Sequence, residues 1–129
     1  MNIRTTNDFH QVSGSLSAET CERAYEMLLE PEYSQDETYM HMLNAFVESC
    51  IRYASYRISW NLYSYAQKTE IDPERTRHHN QVIADAKSLY NYMENTGMNS
   101  FWFDRISENR KTIGDFACYV AYVQGVNAR

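Results

Sequence analysis

Glycine and proline are scarce in this 129-residue chain, which contains 4 Gly and 2 Pro. β-Sandwiches and loop-rich scaffolds place many of these residues in their turns, so the composition excludes both classes. The chain also lacks an apolar run of the ~18 residues that a membrane-spanning helix needs. Its first residues contain no apolar segment of the kind found in secretory signals. We therefore expect a cytoplasmic protein that does not bind a membrane.

Cysteine is sparse, and its spacing matches no known motif. Cys21, Cys50 and Cys118 are odd in number and far apart, and no Cys-x-x-Cys occurs. This spacing predicts neither a disulfide framework nor a zinc knuckle. Each cysteine lies among apolar residues at helical spacing, so we expect three buried thiols in a reducing compartment. We predict no cofactor.

Basic runs are missing as well. The net charge is −5, and residues 1–48 carry nine acidic residues against two basic ones. Residues 49–129 carry eight acidic and ten basic residues, most of them scattered singly. Binding to a phosphate backbone requires clustered Lys and Arg side chains. We therefore expect no direct contact with nucleic acid.

Apolar residues recur at helical spacing along most of the chain, and strand-like alternation never exceeds four residues. The pattern predicts an all-α bundle of four main helices and one short helix, formed by a single domain over residues 17–129. Residues 1–16 show no period and are expected to form a flexible arm. The predicted helices cover 18–30, 35–68, 73–95, a short aromatic segment at 101–103, and 113–124.

Local signals set the expected helix ends. Helix starts are predicted from an N-cap at Ser17, from capping boxes at Ser34-x-x-Glu37 and Thr112-x-x-Asp115, and from the pair Asp72-Pro73. Helix ends are expected at Gly97 and Gly125. A helix over 35–68 would span ~50 Å, so it must kink or project toward another subunit. The last helix is apolar nearly all round, which predicts a central position in the bundle.

Five polar residues fall on apolar helix faces or inside the apolar last helix: Arg57, Asn61, Arg75, His79 and Asp115. A buried guanidinium without a partner costs several kcal/mol, so Arg57 needs a carboxylate or a wet cavity. One interpretation is structural, with an internal ion pair and a hydrogen-bonded core histidine. The other is a pocket, lined by these five residues, that binds a small ligand.

Asp115 has two possible roles within the structural interpretation. It occupies position N3 of the predicted Thr112 capping box, near the positive end of a helix. Alternatively, it forms an ion pair across the core with Arg57, Arg75 or Arg105. The sequence leaves both roles open.

Known catalytic and metal-binding patterns are incomplete in this chain. Glu-x-x-x-His occurs at Glu37/His41 and at Glu74/His78, whereas di-iron bundles use Glu-x-x-His with two further glutamates. The sequence contains no glycine-rich phosphate loop and no nucleophile in a recognisable turn. We predict no metal site and no catalytic residue, and nothing in the sequence requires an enzyme.

Two surface features favour protein contacts. The chain contains 11 Tyr, and tyrosine suits half-wet interfaces. Tyr56 and Tyr63 fall one above the other on the polar side of the predicted second helix, where they favour an interface. An acidic stripe on the first helix is either a solvated face or a docking strip for a basic partner, and it consists of Glu19, Glu22, Glu26 and Glu30.

The C-terminal half also contains longer recognisable stretches. They are Arg75-x-Arg77-His78-His79-Asn80, Asn109-Arg110-Lys111-x-Ile113-Gly114-Asp115-Phe116-Ala117, and the chain end Gly125-x-Asn127-Ala128-Arg129. Together they resemble a family of small bacterial helical proteins of unknown function. The resemblance covers roughly the last 60 residues. It implies an all-helical fold and a bacterial or phage origin, and it implies no activity.

Three functional hypotheses follow from these features. The first is a non-enzymatic cytosolic interaction or regulatory protein that forms a homodimer through tyrosine-rich surface. The second is a bundle that binds a small ligand or a metal in the pocket described above. The third is an acidic inhibitor that blocks a basic nucleic-acid-binding protein.

Overall fold

A computed structural model describes residues 16–127. The helices are α1 (Ala18–Leu28), α2 (Glu37–Ser59), α3 (Tyr65–Thr96), α4 (Phe101–Ile106) and α5 (Arg110–Asn127), with 3₁₀ turns at Pro31–Gln35 and Trp60–Leu62. No strand occurs in this range, so the prediction of an all-α bundle with four main helices and one short helix is confirmed. The expected arm falls almost wholly on residues 1–15, outside the described residues. Between residues 16 and 127, no helix is long and apolar enough to cross a membrane.

Helix α1 begins where the sequence predicts. The Ser17 hydroxyl accepts the backbone N–H of Thr20 at 3.1 Å, which satisfies one of the free donors of the first turn. Its apolar positions recur at 3-1-3 spacing and are buried: Cys21, Ala24, Tyr25 and Leu28. This spacing directs one face of the helix into the core.

The predicted helix over 35–68 is wrong, and the chain breaks after Ser59. A 3₁₀ turn follows, and α3 begins at Tyr65 behind a capping box. The Ser64 hydroxyl accepts the Gln67 amide at 3.2 Å, while the Gln67 side chain accepts the Ser64 amide at 2.8 Å. These reciprocal bonds stabilise a helix start eight residues before Pro73, which consequently lies inside α3. The expected start at Asp72-Pro73 is therefore also wrong.

Other helix ends also differ from expectation: α1 ends two residues before the predicted 30, α4 continues three residues past the predicted 103, and the ends of α2 and α5 differ as well. Asp36, rather than Ser34, caps α2 through its side chain. Helix α5 begins at Arg110, where Asn109 and Thr112 exchange side-chain-to-backbone bonds of 3.0 Å. The earlier start moves Asp115 into the second turn, away from the N3 position predicted for it. The helix also continues past Gly125 to Asn127.

Helix α5 is the centre of the bundle, as its composition predicts. Every residue from Thr112 to Cys118 is buried, and so is Val120. The Phe116 ring lies 6.2 Å from the ring of Phe46 on α2 and 6.1 Å from the ring of Trp102 on α4. Each fully buried side chain of this size contributes roughly 1.5–3 kcal/mol. These contacts fix α5 against both neighbouring helices.

Helices α2 and α3 form an antiparallel pair. Side-chain contacts join them from Ser49 and Asp85 at one end to Trp60, just after α2, and Arg75 at the other. Ser49 donates a hydrogen bond to Asp85, and the ring centroids of Tyr53 and His79 are 4.6 Å apart. The polar residues singled out by the sequence lie along this pair and on the adjoining part of α5.

Candidate functional site: an internal ion pair and an exposed aromatic corner

The first part of the site is a buried ion pair between two helices. Arg57, in the last turn of α2, pairs through Nη2 with the carboxylate of Asp115 on α5. The Asp115 side chain is 0% exposed and that of Arg57 is 16% exposed. The core ion pair is thus the role that the structure assigns to Asp115. Because both charges are largely removed from water, removing one partner alone would leave the other as an uncompensated buried charge.

Gly114 makes room for this pair. A Cβ atom at Gly114 would lie 2.9 Å from Arg57 Nη1 and 3.0 Å from the Tyr53 hydroxyl oxygen. Within the described residues, Nη1 of Arg57 is buried and makes no hydrogen bond. Sequence reasoning did not single out Gly114 or Tyr53 as part of the site. A glycine inside a predicted buried helix was the available signal, because such a glycine often marks a close approach.

His79 lies beside the ion pair and has its own partners. Its Nε2 is 2.8 Å from the carbonyl oxygen of Arg110. A carbonyl only accepts, so Nε2 carries the proton and donates it. Burial lowers the pKa of His79, and the charges of Arg110, Arg57 and Arg75 act in the same direction. His79 is therefore a neutral, hydrogen-bonded core histidine at pH ~7.

The three thiols are equally enclosed. Cys21, Cys50 and Cys118 are free and 0% exposed. Burial raises the pKa of Cys21 and of Cys118 to about 12, and it also raises that of Cys50. Only a thiolate is a strong nucleophile, so these side chains act as small apolar groups.

Arg75, on α3, is half-buried and pairs with a carboxylate other than Asp115. Both its Nε and its Nη2 donate to Oδ1 of Asp72, at 3.2 and 2.8 Å. Its guanidinium carbon lies 4.6 Å from the centroid of the Trp60 ring, a cation–π contact. The structure therefore brings Arg57, His79 and Asp115 together, whereas Arg75, whose charge also acts on His79, forms its ion pair with Asp72. The side chain of Asn61, the fifth predicted pocket residue, lies outside the described part.

The second part of the site is a groove where α2 ends and α3 begins. It has a volume of about 380 Å³ and is lined by Trp60, Tyr65, Lys68, Thr69, Asp72 and Pro73. Two large apolar side chains of this segment are exposed: Tyr65, which lines the groove, is 87% exposed, and Leu62 is 69% exposed. We call the set Trp60, Leu62, Tyr65, Lys68 and Asp72 the corner surface. Sequence reasoning missed it because one continuous helix was predicted across residues 60–64.

The two tyrosines predicted to form an interface do not share a helix face. Tyr56 is half-buried and stacks on His78 of the same chain, with ring centroids 5.0 Å apart. Tyr63 follows the 3₁₀ turn in an extended conformation. The two rings are therefore not aligned along one helix face, and that expectation is wrong.

The acidic stripe is fully on the surface. All four of its side chains are exposed: Glu19, Glu22, Glu26 and Glu30. Glu19 forms an exposed ion pair with Arg23 at 2.7 Å. A solvated pair of this kind contributes little to stability. Glu19, Glu22 and Glu26 give α1 a negative outer face, whereas Glu30 lies beyond the end of the helix at Leu28.

Between residues 16 and 127, no group of three or more His, Cys, Asp or Glu side chains is arranged to hold a metal ion. Comparison with protein-family models, with curated proteins and with solved structures found no match for the chain.

Proposed function

We propose that the chain is a non-enzymatic interaction protein of the bacterial or phage cytosol, and that it self-associates through the corner surface. The observation that carries this proposal is the exposure of Tyr65 and Leu62 beside a groove walled by Trp60. Aromatic side chains are enriched at the centres of protein interfaces. The three reduced, buried thiols fit a reducing compartment.

The charged groups of the interior argue against a ligand pocket as the main function. Arg57 is paired with Asp115, and His79 donates to a backbone carbonyl. A ligand anion at Nη2 would have to displace Asp115 from a fully buried position, and Nη1, which makes no hydrogen bond within the described part of the chain, is itself buried. That exchange is costly because it separates an existing buried pair.

The first four turns of α3 also favour a binding partner. None of residues 65–78 is buried, although they extend the helix by ~21 Å. An isolated helical segment of this length is marginal in water, and most helices gain their stability from packing. Pro73 weakens the segment further by removing one backbone hydrogen bond. A partner on this face would supply the missing packing.

Charge favours self-association at this face over other faces. Residues 60–78 carry three acidic and three basic residues, whereas the whole chain carries −5. Two copies that met through the acidic outer face of α1 would repel each other. At the corner surface this repulsion is absent.

Sedimentation velocity over ~1–300 µM protein tests the proposal. This concentration range covers weak dimers, which are expected when the interface is small. We expect the wild type to shift toward a dimer as the concentration rises. The double variant Leu62→Ser/Tyr65→Ser should remain a monomer. Phe101→Ser is the matched control, because Phe101 is 60% exposed but lies on α4. A wild type that stays monomeric throughout, or a double variant that associates as well as the control, would contradict the proposal.

A further inference from the structure

One stripe of α3 lines the groove and is symmetric in position about its midpoint. Tyr65, Lys68, Thr69 and Asp72 occupy positions i, i+3, i+4 and i+7, so they lie on one helix face. All four line the groove. The midpoint between residues 68 and 69 is equally far from 65 and from 72. An antiparallel copy centred there places position 65 opposite position 72, and 68 opposite 69.

We propose that two copies of the chain pack these stripes together antiparallel, around a two-fold axis between Lys68 and Thr69. The inference rests on the self-association proposed above. In this arrangement Tyr65 of each copy lies in the other copy's groove. Lys68 of each copy pairs with the partner's Asp72, which is offset by ~4.5 Å along the helix axis, within reach of a lysine side chain.

The groove supplies suitable partners for the incoming tyrosine. Arg75 uses only Oδ1 of Asp72, at 3.2 and 2.8 Å, which leaves Oδ2 to accept from a phenol hydroxyl or an ammonium group. The Trp60 ring forms an apolar wall, and Lys68 Nζ lies 5.7 Å from its centroid. A phenol ring from a second copy would therefore meet an aromatic face and a carboxylate, and both suit tyrosine.

The stripe is complementary to itself in charge. Its single positive and single negative side chain fall on opposite sides of the symmetry centre, so a two-fold axis creates two opposite-charge pairs. One four-residue stripe and the groove beside it form a smaller contact than the ~800 Å² per partner of a standard interface. The dimer should consequently be weak, with a dissociation constant in the micromolar range.

A charge exchange between copies tests this arrangement. Lys68→Glu sets a glutamate against the partner's Asp72 at both contacts, and Asp72→Lys sets two lysines against each other. Each single variant should dissociate about tenfold more readily than the wild type. An equimolar mixture of the two variants should associate within about threefold of the wild type, because both contacts of the mixed dimer join opposite charges. The glutamate introduced at position 68 meets the lysine introduced at position 72, and the unchanged Lys68 of one copy meets the unchanged Asp72 of the other. Sedimentation velocity on the separate and mixed samples measures both effects.

Matched controls separate this effect from net charge and from folding. Glu70→Lys makes the same charge change as Asp72→Lys on the other face of α3, and Lys87→Glu matches Lys68→Glu farther along the helix. Neither control should change association more than about twofold. Far-ultraviolet circular dichroism verifies that every variant is folded.

The outcomes are distinct. Association that is weak in each separate variant and recovers in their mixture supports the two-fold arrangement. A wild type that dimerises while the mixture fails to recover overturns the arrangement and leaves the proposed function standing. A wild type that never dimerises overturns both.

Discussion

The buried ion pair between Arg57 and Asp115 leads to a quantitative prediction. Asp115→Asn keeps the shape of the side chain but removes the charge, which leaves the Arg57 guanidinium largely buried without an anion. Breaking a buried pair in this way costs about 3–5 kcal/mol. Because Arg57 keeps 16% of its side chain exposed, it has some access to water, and we expect a cost near the lower end, about 3 kcal/mol. Such a loss corresponds to a decrease in melting temperature of roughly 10 °C.

Urea unfolding followed by circular dichroism measures this cost. Asp104→Asn is the matched control, because it makes the same change at an exposed carboxylate on α4 and should alter stability by less than about 0.5 kcal/mol. The double variant Arg57→Met/Asp115→Leu replaces the pair by apolar side chains. We expect it to recover to within about 1 kcal/mol of the wild type, since the desolvation penalty of both charges disappears.

The opposite result would refute this reasoning. If Asp115→Asn unfolds at the same urea concentration as the wild type, the pair does not hold α2 against α5. Arg57 would then be held in the interior for another purpose, and the hypothesis of a ligand-binding pocket would regain the lead.

Two further predictions concern the neighbours of this pair. Burial and nearby positive charges lower the pKa of folded His79, so the unfolded chain binds more protons and stability falls as the pH drops below about 6.5. His79→Gln keeps a donor for the Arg110 carbonyl and should reduce the stability lost between pH ~7.5 and ~5, measured as urea midpoints; an equal loss in both proteins would exclude His79 as the titrating group. Gly114→Ala places a Cβ atom 2.9 Å from Arg57 Nη1 and 3.0 Å from the Tyr53 hydroxyl, so we expect a destabilisation of about 1–3 kcal/mol by the same assay. A gain in stability, as at an ordinary helical glycine, would contradict the close packing at Gly114.

Local sequence signals predicted those parts of the fold that depend on local bonds. Ser17 accepts the amide three residues later, and Gly97 ends α3 with a φ of 77°. Both features depend only on side chains within one helical turn. The break between α2 and α3 was missed because two start signals compete there. Pro73 is exposed and tolerated inside α3, and the Ser64 capping box sets the start.

The site was predictable only in part, for a related reason. Helical spacing identified Arg57 and His79 as polar residues on apolar faces, and both are indeed engaged in the interior. Spacing within one helix does not specify the partner across the bundle. The earlier start of α5 removes Asp115 from the capping position predicted for it, and the packing of α5 against α2 brings it to Arg57. The corner surface depends on the chain direction after Ser59, which no local pattern revealed.

Native mass spectrometry of the untagged protein, purified without chelator, tests the central claim most directly. The account predicts a species at twice the 15.2 kDa chain mass, without any adduct, that grows with protein concentration. A monomer that carries a stoichiometric metal or organic adduct would contradict it and would make ligand binding the primary function.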